Sequence, residues 1–276
     1  MALYMTNVAS LSAQRSLSKA TKSLNTSYQR LASGRRINSA KDDAAGLQIA
    51  NRMTSQINGL TQANRNANDA ISMCQTAEGA LDEVSNMMQR LRVLALQSAN
   101  GTNSDYEREA MQAEVKELTE EIVRIGRDTS FGGNIGLFGS DSQTSFQVGA
   151  YANQVITLDM QAMSSMASFG GQSITCLSLL TADSSQDAIG SLDDMIKNVD
   201  SYRARLGAVQ NRMEYTISSN EVAIENATAS RARIMDTDYA AETANLAKQS
   251  ILQQVAASIL AQANAQKSLI LSLIGA

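Results

Sequence analysis

Hydrophobic positions in this chain recur at intervals of three and four residues over long stretches, the spacing of helices that pack along one face. The first 33 residues contain no glycine, and within them Leu17, Leu24 and Leu31 fall every seven residues, with Ala20 and Tyr28 on the intervening steps. Most other positions there are Ser, Thr, Gln and Asn with few charge pairs, so the predicted helix is marginal alone and needs a partner surface. Gly34 and the cluster Arg35, Arg36, Lys41, Asp42 and Asp43 break the pattern as a polar connector, where Ser39 or Asp42 is placed to cap the next helix. From residue 44 a second stripe follows, with Ile57, Leu60, Ala67, Ile71, Cys74, Leu81, Met88, Leu91 and Ala95 in a 3.5-residue rhythm. It lasts about 50 residues, roughly 75 Å of helix. A single helix of that length cannot stand unsupported, so its apolar face must meet other helices.

The run Asn100, Gly101, Thr102, Asn103 ends this helix, since a glycine past the terminus accepts the left-handed conformation. A shorter helix is expected over residues 104–128, with Met111, Val115, Leu118, Ile122 and Ile125 inward and the pair forming an antiparallel hairpin. Between residues 126 and 171 the composition shifts: eight of the 16 glycines and all four phenylalanines lie there, which marks turns and strands rather than helix. Phe146 and Val148 alternate before a turn at residues 150–153, and Val155 and Thr157 alternate after it, predicting a β-hairpin near 143–160. Residues 160–183, rich in Met, Ser and Gly, read as loop. A third long helix is expected from residue 185 to 233, with Leu192, Ile196, Val199, Leu206, Val209, Met213, Ile217 and Ile224 at three/four spacing. Asp236, Thr237 and Asp238 then offer a capping point. The last helix, over 239–274, carries an apolar face of Leu246, Val255, Ile259 and Ala263, and ends in the aliphatic run LILSLIG.

The fold class that follows is mainly α: a long helical bundle or coiled coil built from both termini, with a small β-hairpin in the middle. The expected domains are 1–43 plus 236–276, a terminal coiled coil, and 44–235, a helical bundle carrying the hairpin. A lone pair of terminal helices covers little of its own apolar surface, so burial in a self-assembly is expected, and head-to-tail contacts that do not close give open helical filaments. The candidate assembly residues are Leu17, Leu24, Leu31, Leu246, Val255, Ile259, Leu269 and Leu273.

Composition sharpens this picture. Aromatics make up 4% of the chain, with no Trp and no Pro, so the core must be thin aliphatic stripes on unbroken helices. The formal charge of −4 has both signs interspersed, which disfavours nucleic acid as a partner. The absence of histidine removes HExxH zinc sites, Ser-His-Asp triads and Cys-His dyads, and adjacent carboxylates such as Asp42/Asp43, Glu120/Glu121 and Asp193/Asp194 diverge by about 100° on a helix. No enzyme, metal or cofactor is therefore expected. Gly132, Gly133, Gly136 and Gly139 fit neither GxGxxG nor a Walker loop and read as turns. Cys74 and Cys176 lack metal-ligand spacing, and Cys74 lies on the apolar stripe as a buried thiol. The first residues lack a basic segment followed by an apolar one, and no run approaches about 18 apolar residues, so neither a cleaved signal peptide nor a membrane span is expected.

Several segments resemble bacterial flagellin. SGRRINSAKDDAAGLQIANR resembles the N-terminal signature of that family, and NRNANDAISMCQTAEGALDEVSNMMQRLRVLALQSANGTNS its first bundle helix. TSFGGN and SFQVGA resemble the entry to its hairpin, LGAVQNRMEYTISS its C-terminal bundle helix, and ARIMDTDYAAETANL with ILQQVAASILAQANAQ its terminal region. The resemblance runs in order along nearly the whole chain and implies a minimal form with the two inner domains only, because little separates the hairpin from the returning helix. The end LILSLIGA departs from the family's usual final residues.

What the resemblance implies is a structural subunit that self-assembles into the helical filament of the flagellum for motility. Such a subunit is extracellular and exported uncleaved through a flagellar type III apparatus. Its partners would be further copies of itself, an export chaperone, and hook-associated and cap proteins. The family's Toll-like receptor contacts lie around a QRxRxL motif, matched here by Gln89, Arg90, Leu91, Arg92 and Leu94, with Glu114 at the acidic position of the next helix; Val93 stands where some receptor-activating members carry an acid. The plainer reading of these residues is filament contact. The nearest alternative function is a hook-filament junction protein, which shares such termini. A secretion translocator would instead need an apolar membrane-inserting hairpin, and the sequence has none.

Overall fold

The computed structural model describes residues 6–133, 135–138, 143–159, 168–169, 172–174 and 177–274, with the backbone alone described at 135, 159, 168–169, 172–173 and 267–274. Contacts divide the chain into two compact units, Met1–Gln56 with Glu225–Ala276, and Ile57–Ile224.

In the terminal unit, α1 (Val8–Ser33) starts at Asn7, whose side chain accepts from the Ser10 amide, and ends at Gly34, which takes the left-handed φ of 68° that closes a helix. α5 (Tyr239–Ile274) lies antiparallel to it: Asn7 Nδ2 donates to the Ala263 carbonyl at 2.9 Å, Gln253 Nε2 to Thr21 Oγ1 at 3.1 Å, and Ser27 Oγ to Glu242 Oε1 at 2.5 Å. The buried seam is Ala13, Ala20, Leu24 and Ser27 from α1 with Glu242, Ala256 and Ala263 from α5. Tyr28, expected on this seam, is exposed, and Ser27 takes the position because it can satisfy the buried Glu242 carboxylate, which Arg30 also approaches at 3.6 Å. Small seam residues let the two backbones approach closely, at the cost of covering little apolar area.

The connector is held by main-chain bonds between the two chain segments: Arg36 N donates to Met235 O at 2.7 Å and Thr237 N to Gly34 O at 3.0 Å. Ile37 is its buried anchor. Neither Ser39 nor Asp42 caps the following helix, α2 (Ala44–Ser98). That role falls to Asp43, which accepts from Gly46 N at 2.9 Å, while Asp42 pins the preceding turn by accepting from the Asn38 and Ser39 amides and Ser39 Oγ. Asp238 caps α5 through the Ala240 and Ala241 amides.

In the middle unit, α2 buries Leu60, Ala63, Ala67, Ala70, Cys74, Ala77, Leu81, Val84, Met88, Leu91, Ala95 and Ser98, an unbroken alternation of three and four, with Met73 and Leu94 buried beside it. Ile71 falls one step off that register and is half-buried, so the expected stripe is corrected at this position: alanines hold the centre where helices meet most closely. α3 (Asp105–Asp128) opens with a capping box, Ser104 and Glu107 each bonding the other's backbone amide. α4 (Ala182–Met235) starts three residues before the expected position, because Thr181 and Ser184 cap each other reciprocally at 3.1 and 3.2 Å. Its buried face is Ser185, Ala188, Leu192, Met195, Val199, Leu206, Met213 and Asn220.

Between α3 and α4 lie three short antiparallel pairs: β1 (Ser130–Phe131) with β2 (Ile135–Gly136), β3 (Gln143–Gln147) with β4 (Val155–Asp159), and β5 (Ser168–Phe169) with β6 (Gln172–Ser173). In the β3–β4 hairpin Phe146 lies opposite Ile156, and Val148, Ile156 and Leu158 are buried. Side-chain amides tie it to the helices: Asn220 Nδ2 donates to Val148 O at 3.1 Å and to Asn64 Oδ1 at 2.9 Å, and Asn66 Nδ2 to Gln147 O at 2.9 Å. Gly59 admits the hairpin tip, since a Cβ there would meet Ala150 at 3.0 Å. Of the segment expected as loop, residues 160–167, 170–171 and 175–176 lie outside the described residues, and two of the described ones plug the bundle. Ile174 and Leu179 are fully buried in the main core cluster with Leu137 and Phe138, and Ser98 Oγ donates to the Leu179 carbonyl at 2.7 Å.

Candidate functional site

The α1–α5 pair divides the apolar residues of α5 between two faces. Leu246, Ala256 and Ala263 turn toward α1, with Leu17, Leu24 and Leu31 buried or half-buried opposite. Val255 and Ile259, expected on that same face, lie at its edge and are 47% and 49% exposed. With Ile251 and Leu252 at 60% and 45% they form a continuous aliphatic stripe within one 100° sector of α5. Val8 and Leu11 add exposed aliphatics on α1. Leu252, Val255 and Ile259 also line an open groove of about 700 Å³ with Ala9, Ala13 and Ala20. Leu269 and Leu273 lie where side chains are not described.

The expected recognition motif splits as well. Leu91 and Leu94 are 1% and 2% exposed and belong to the main core, so neither side chain can meet a partner from this state. The correction follows from helix geometry: the seam that needs Met88 and Leu91 also draws in Leu94. Gln89 and Arg90 are exposed, and Arg92 and Glu114 half-exposed. Arg90 pairs with Glu114 at 2.7 Å, linking α2 to α3, and Arg92 with Asp193 at 2.6 Å, linking α2 to α4. The Arg92 hydrogen bond holds the Asp193 carboxyl below its usual range. Asp193 lies 101 residues from its partner, so nothing but its charge marks the pairing in the sequence.

The adjacent carboxylates go to separate partners. Asp193 binds Arg92 and Asp194 binds Lys197; Glu120 meets Lys116 and Glu121 meets Arg124. Among the described residues no group of three His, Cys, Asp or Glu could hold a metal ion, and no helix is long and apolar enough to cross a membrane. Cys74 is a free, buried thiol, pushed up to about 11 by burial and by the nearby Glu78. Cys176 lies outside the described residues.

Comparison with known proteins bears on what these surfaces serve. Residues 5–142 match the family model for the bacterial flagellin N-terminal helical region, and residues 189–274 that for the C-terminal helical region. Polar flagellin F of Vibrio parahaemolyticus is 38% identical, with 98% of each chain covered in an alignment of 371 positions, so the relative carries residues with no counterpart here. The crystal structure of Bacillus cereus flagellin is 27% identical and superposes on 56% of this chain and 88% of its own with a TM-score of 0.50. A structure provisionally named as a flagellar hook-associated protein of Vibrio parahaemolyticus shares the fold, with a TM-score of 0.59 over 71% of this chain and all of its own at 16% identity. Covered by both terminal family models, and similar over nearly its whole length to flagellins named as such, the chain belongs to the bacterial flagellin family, the structural subunits of the extracellular flagellar filament.

Proposed function

We propose that copies of this chain meet through the terminal helix pair, with the α5 stripe Ile251, Leu252, Val255 and Ile259 as the principal apolar contact. The observation that carries this is the exposure of four large aliphatics side by side on a helix whose buried residues are only Glu242, Ala256 and Ala263 among those described. Such a stripe is costly in water, and at about 25 cal/mol per Å² its burial between copies supplies several kcal/mol per subunit. In this reading residues 1–43 and 236–276 are the assembling domain, 44–235 the helical bundle, and Leu17, Leu24, Leu31 and Leu246 align α1 with α5. Leu269 and Leu273 extend the same function to the chain's end. Export of the subunit unfolded and uncleaved, with an export chaperone and with hook-associated and cap proteins as partners, accords with the same family membership. The hook-filament junction alternative is not favoured, because the relatives covering 98% of the chain are named flagellins.

The test is seeded elongation followed by light scattering. A Val255→Asp, Ile259→Asp double variant is expected to lose elongation while circular dichroism shows the middle unit folded. Elongation at the unaltered rate refutes the assignment.

Recognition by a Toll-like receptor is a second proposal, supported by the Arg90–Glu114 pair, which fixes a guanidinium and a carboxylate on one exposed face beside Gln89. Arg92 would act mainly by tying α2 to α4. Arg90→Ala is expected to reduce signalling in receptor reporter cells by about tenfold, as loss of one charged hot spot does. Equal signalling would remove the site from consideration.

A further inference from the structure

Charge is distributed very unevenly between the two units. The terminal unit has twelve Lys and Arg against six Asp and Glu, net +6, and the middle unit eleven against 21, net −10. The interspersed signs of the whole sequence conceal this division. Within the terminal unit, Lys19, Lys22 and Lys41 line one open groove of about 890 Å³ with Thr26, Gln29 and Asn38. None of the three lysines makes an ion pair among the described residues. Asp42 also borders the groove, but its carboxylate is occupied by the Asn38 and Ser39 amides and Ser39 Oγ. The groove therefore presents three free cations on a polar, hydroxyl-rich floor.

The acidic excess of the middle unit is densest on α3, which holds eight acids against four bases in 24 residues. Of these, Asp105, Glu109 and Glu117 are exposed and without an ion-pair partner among the described residues. They span twelve residues, about 18 Å along the helix, comparable to the roughly 21 Å of α1 between Lys19 and Ser33 that borders the groove. We propose that the lysine groove of one copy receives the acidic face of α3 from a second copy, adding a charge-complementary contact between unlike units to the apolar contact between terminal pairs. A terminal unit meeting only its like would set one +6 body against another, whereas α3 supplies the opposite sign at matching length. The proposal rests on self-assembly through the terminal helices but calls on different residues and a different force.

Two measurements on full-length protein test it. Lys19→Glu, Lys22→Glu and Lys41→Glu together are expected to slow seeded elongation at low ionic strength by about tenfold and to flatten its salt dependence. Adding Glu109→Lys and Glu117→Lys is expected to restore most of the rate. Unchanged elongation in the lysine variant overturns the proposal, as does a slowed variant that the α3 reversal fails to rescue. In the second, filaments grown from mixed isotopically light and heavy subunits are treated with a carbodiimide, which joins lysine to carboxylate in contact. Links between copies from Lys19, Lys22 or Lys41 to Asp105, Glu109 or Glu117 support it; links to α4 carboxylates, or none, refute it. Failure of the Val255→Asp, Ile259→Asp test leaves both charge readouts intact, so the two readings fail separately.

Discussion

At the scale of single residues, the connector depends on one carboxylate. Asp42 accepts two amide bonds and one hydroxyl bond, and the backbone bonds from Asn38 and Ser39 are the main cause that lowers its pKa. A carboxyl whose folded pKa is depressed contributes stability that is present above its unfolded value and lost as pH falls through the folded one. The melting temperature of the protein should therefore exceed that of Asp42→Ala near neutral pH, and the difference should shrink to nothing in acid below the folded value. A difference that is constant across that range would show that the charge of Asp42 is not what holds the turn. Tyr28 and Ser27 show how far residue-level reading reaches. Hydrophobicity favours the tyrosine on the seam, but a buried glutamate on the opposite helix needs a donor, and only the assembled pair reveals that glutamate.

At the scale of elements, the helices were legible because their period is written in every turn, and α3 could be bounded to within a residue by its capping residue and its glycine-marked turn. The seam itself was only half legible. Ala63, Ala70 and Ala77 sit on the buried register as firmly as Leu81, yet alanine is common on every helix face and carries little signal, so Ile71 looked the better candidate. The packing makes opposite demands on the two positions. Ala77→Leu should destabilise the middle unit by about 1–3 kcal/mol, since no room remains between the helices. Ile71→Asp should cost less than a fully buried charge would, because its carboxylate can reach water from the flank. Thermal melting of both variants checks this, and a larger loss for Ile71→Asp than for Ala77→Leu would reverse the assignment. The plug formed by Ile174 and Leu179 was not legible at all: a segment rich in Met, Ser and Gly shows no period, and its value lies in filling space left by helices distant in sequence.

At the scale of the whole molecule, the nesting of the middle unit within the two termini could be read from the order of patterns, and family resemblance added the assembly. The ion pairs Arg90–Glu114 and Arg92–Asp193 could not, since they join residues 24 and 101 positions apart. The bonds from Arg36 N to Met235 O and from Thr237 N to Gly34 O have a consequence of another kind. They fasten the chain to itself across about two hundred residues, and the entropy lost in closing so long a ring grows only with the logarithm of its length. A ring half as long again costs only about 0.4 kcal/mol more to close. The relative aligned over 371 positions carries residues with no counterpart here, and an insertion of that size within this chain's ring would hardly weaken the clasp. Outer segments of very different length can thus be added to or lost from such a subunit during evolution without loosening the fastening that holds its two ends together.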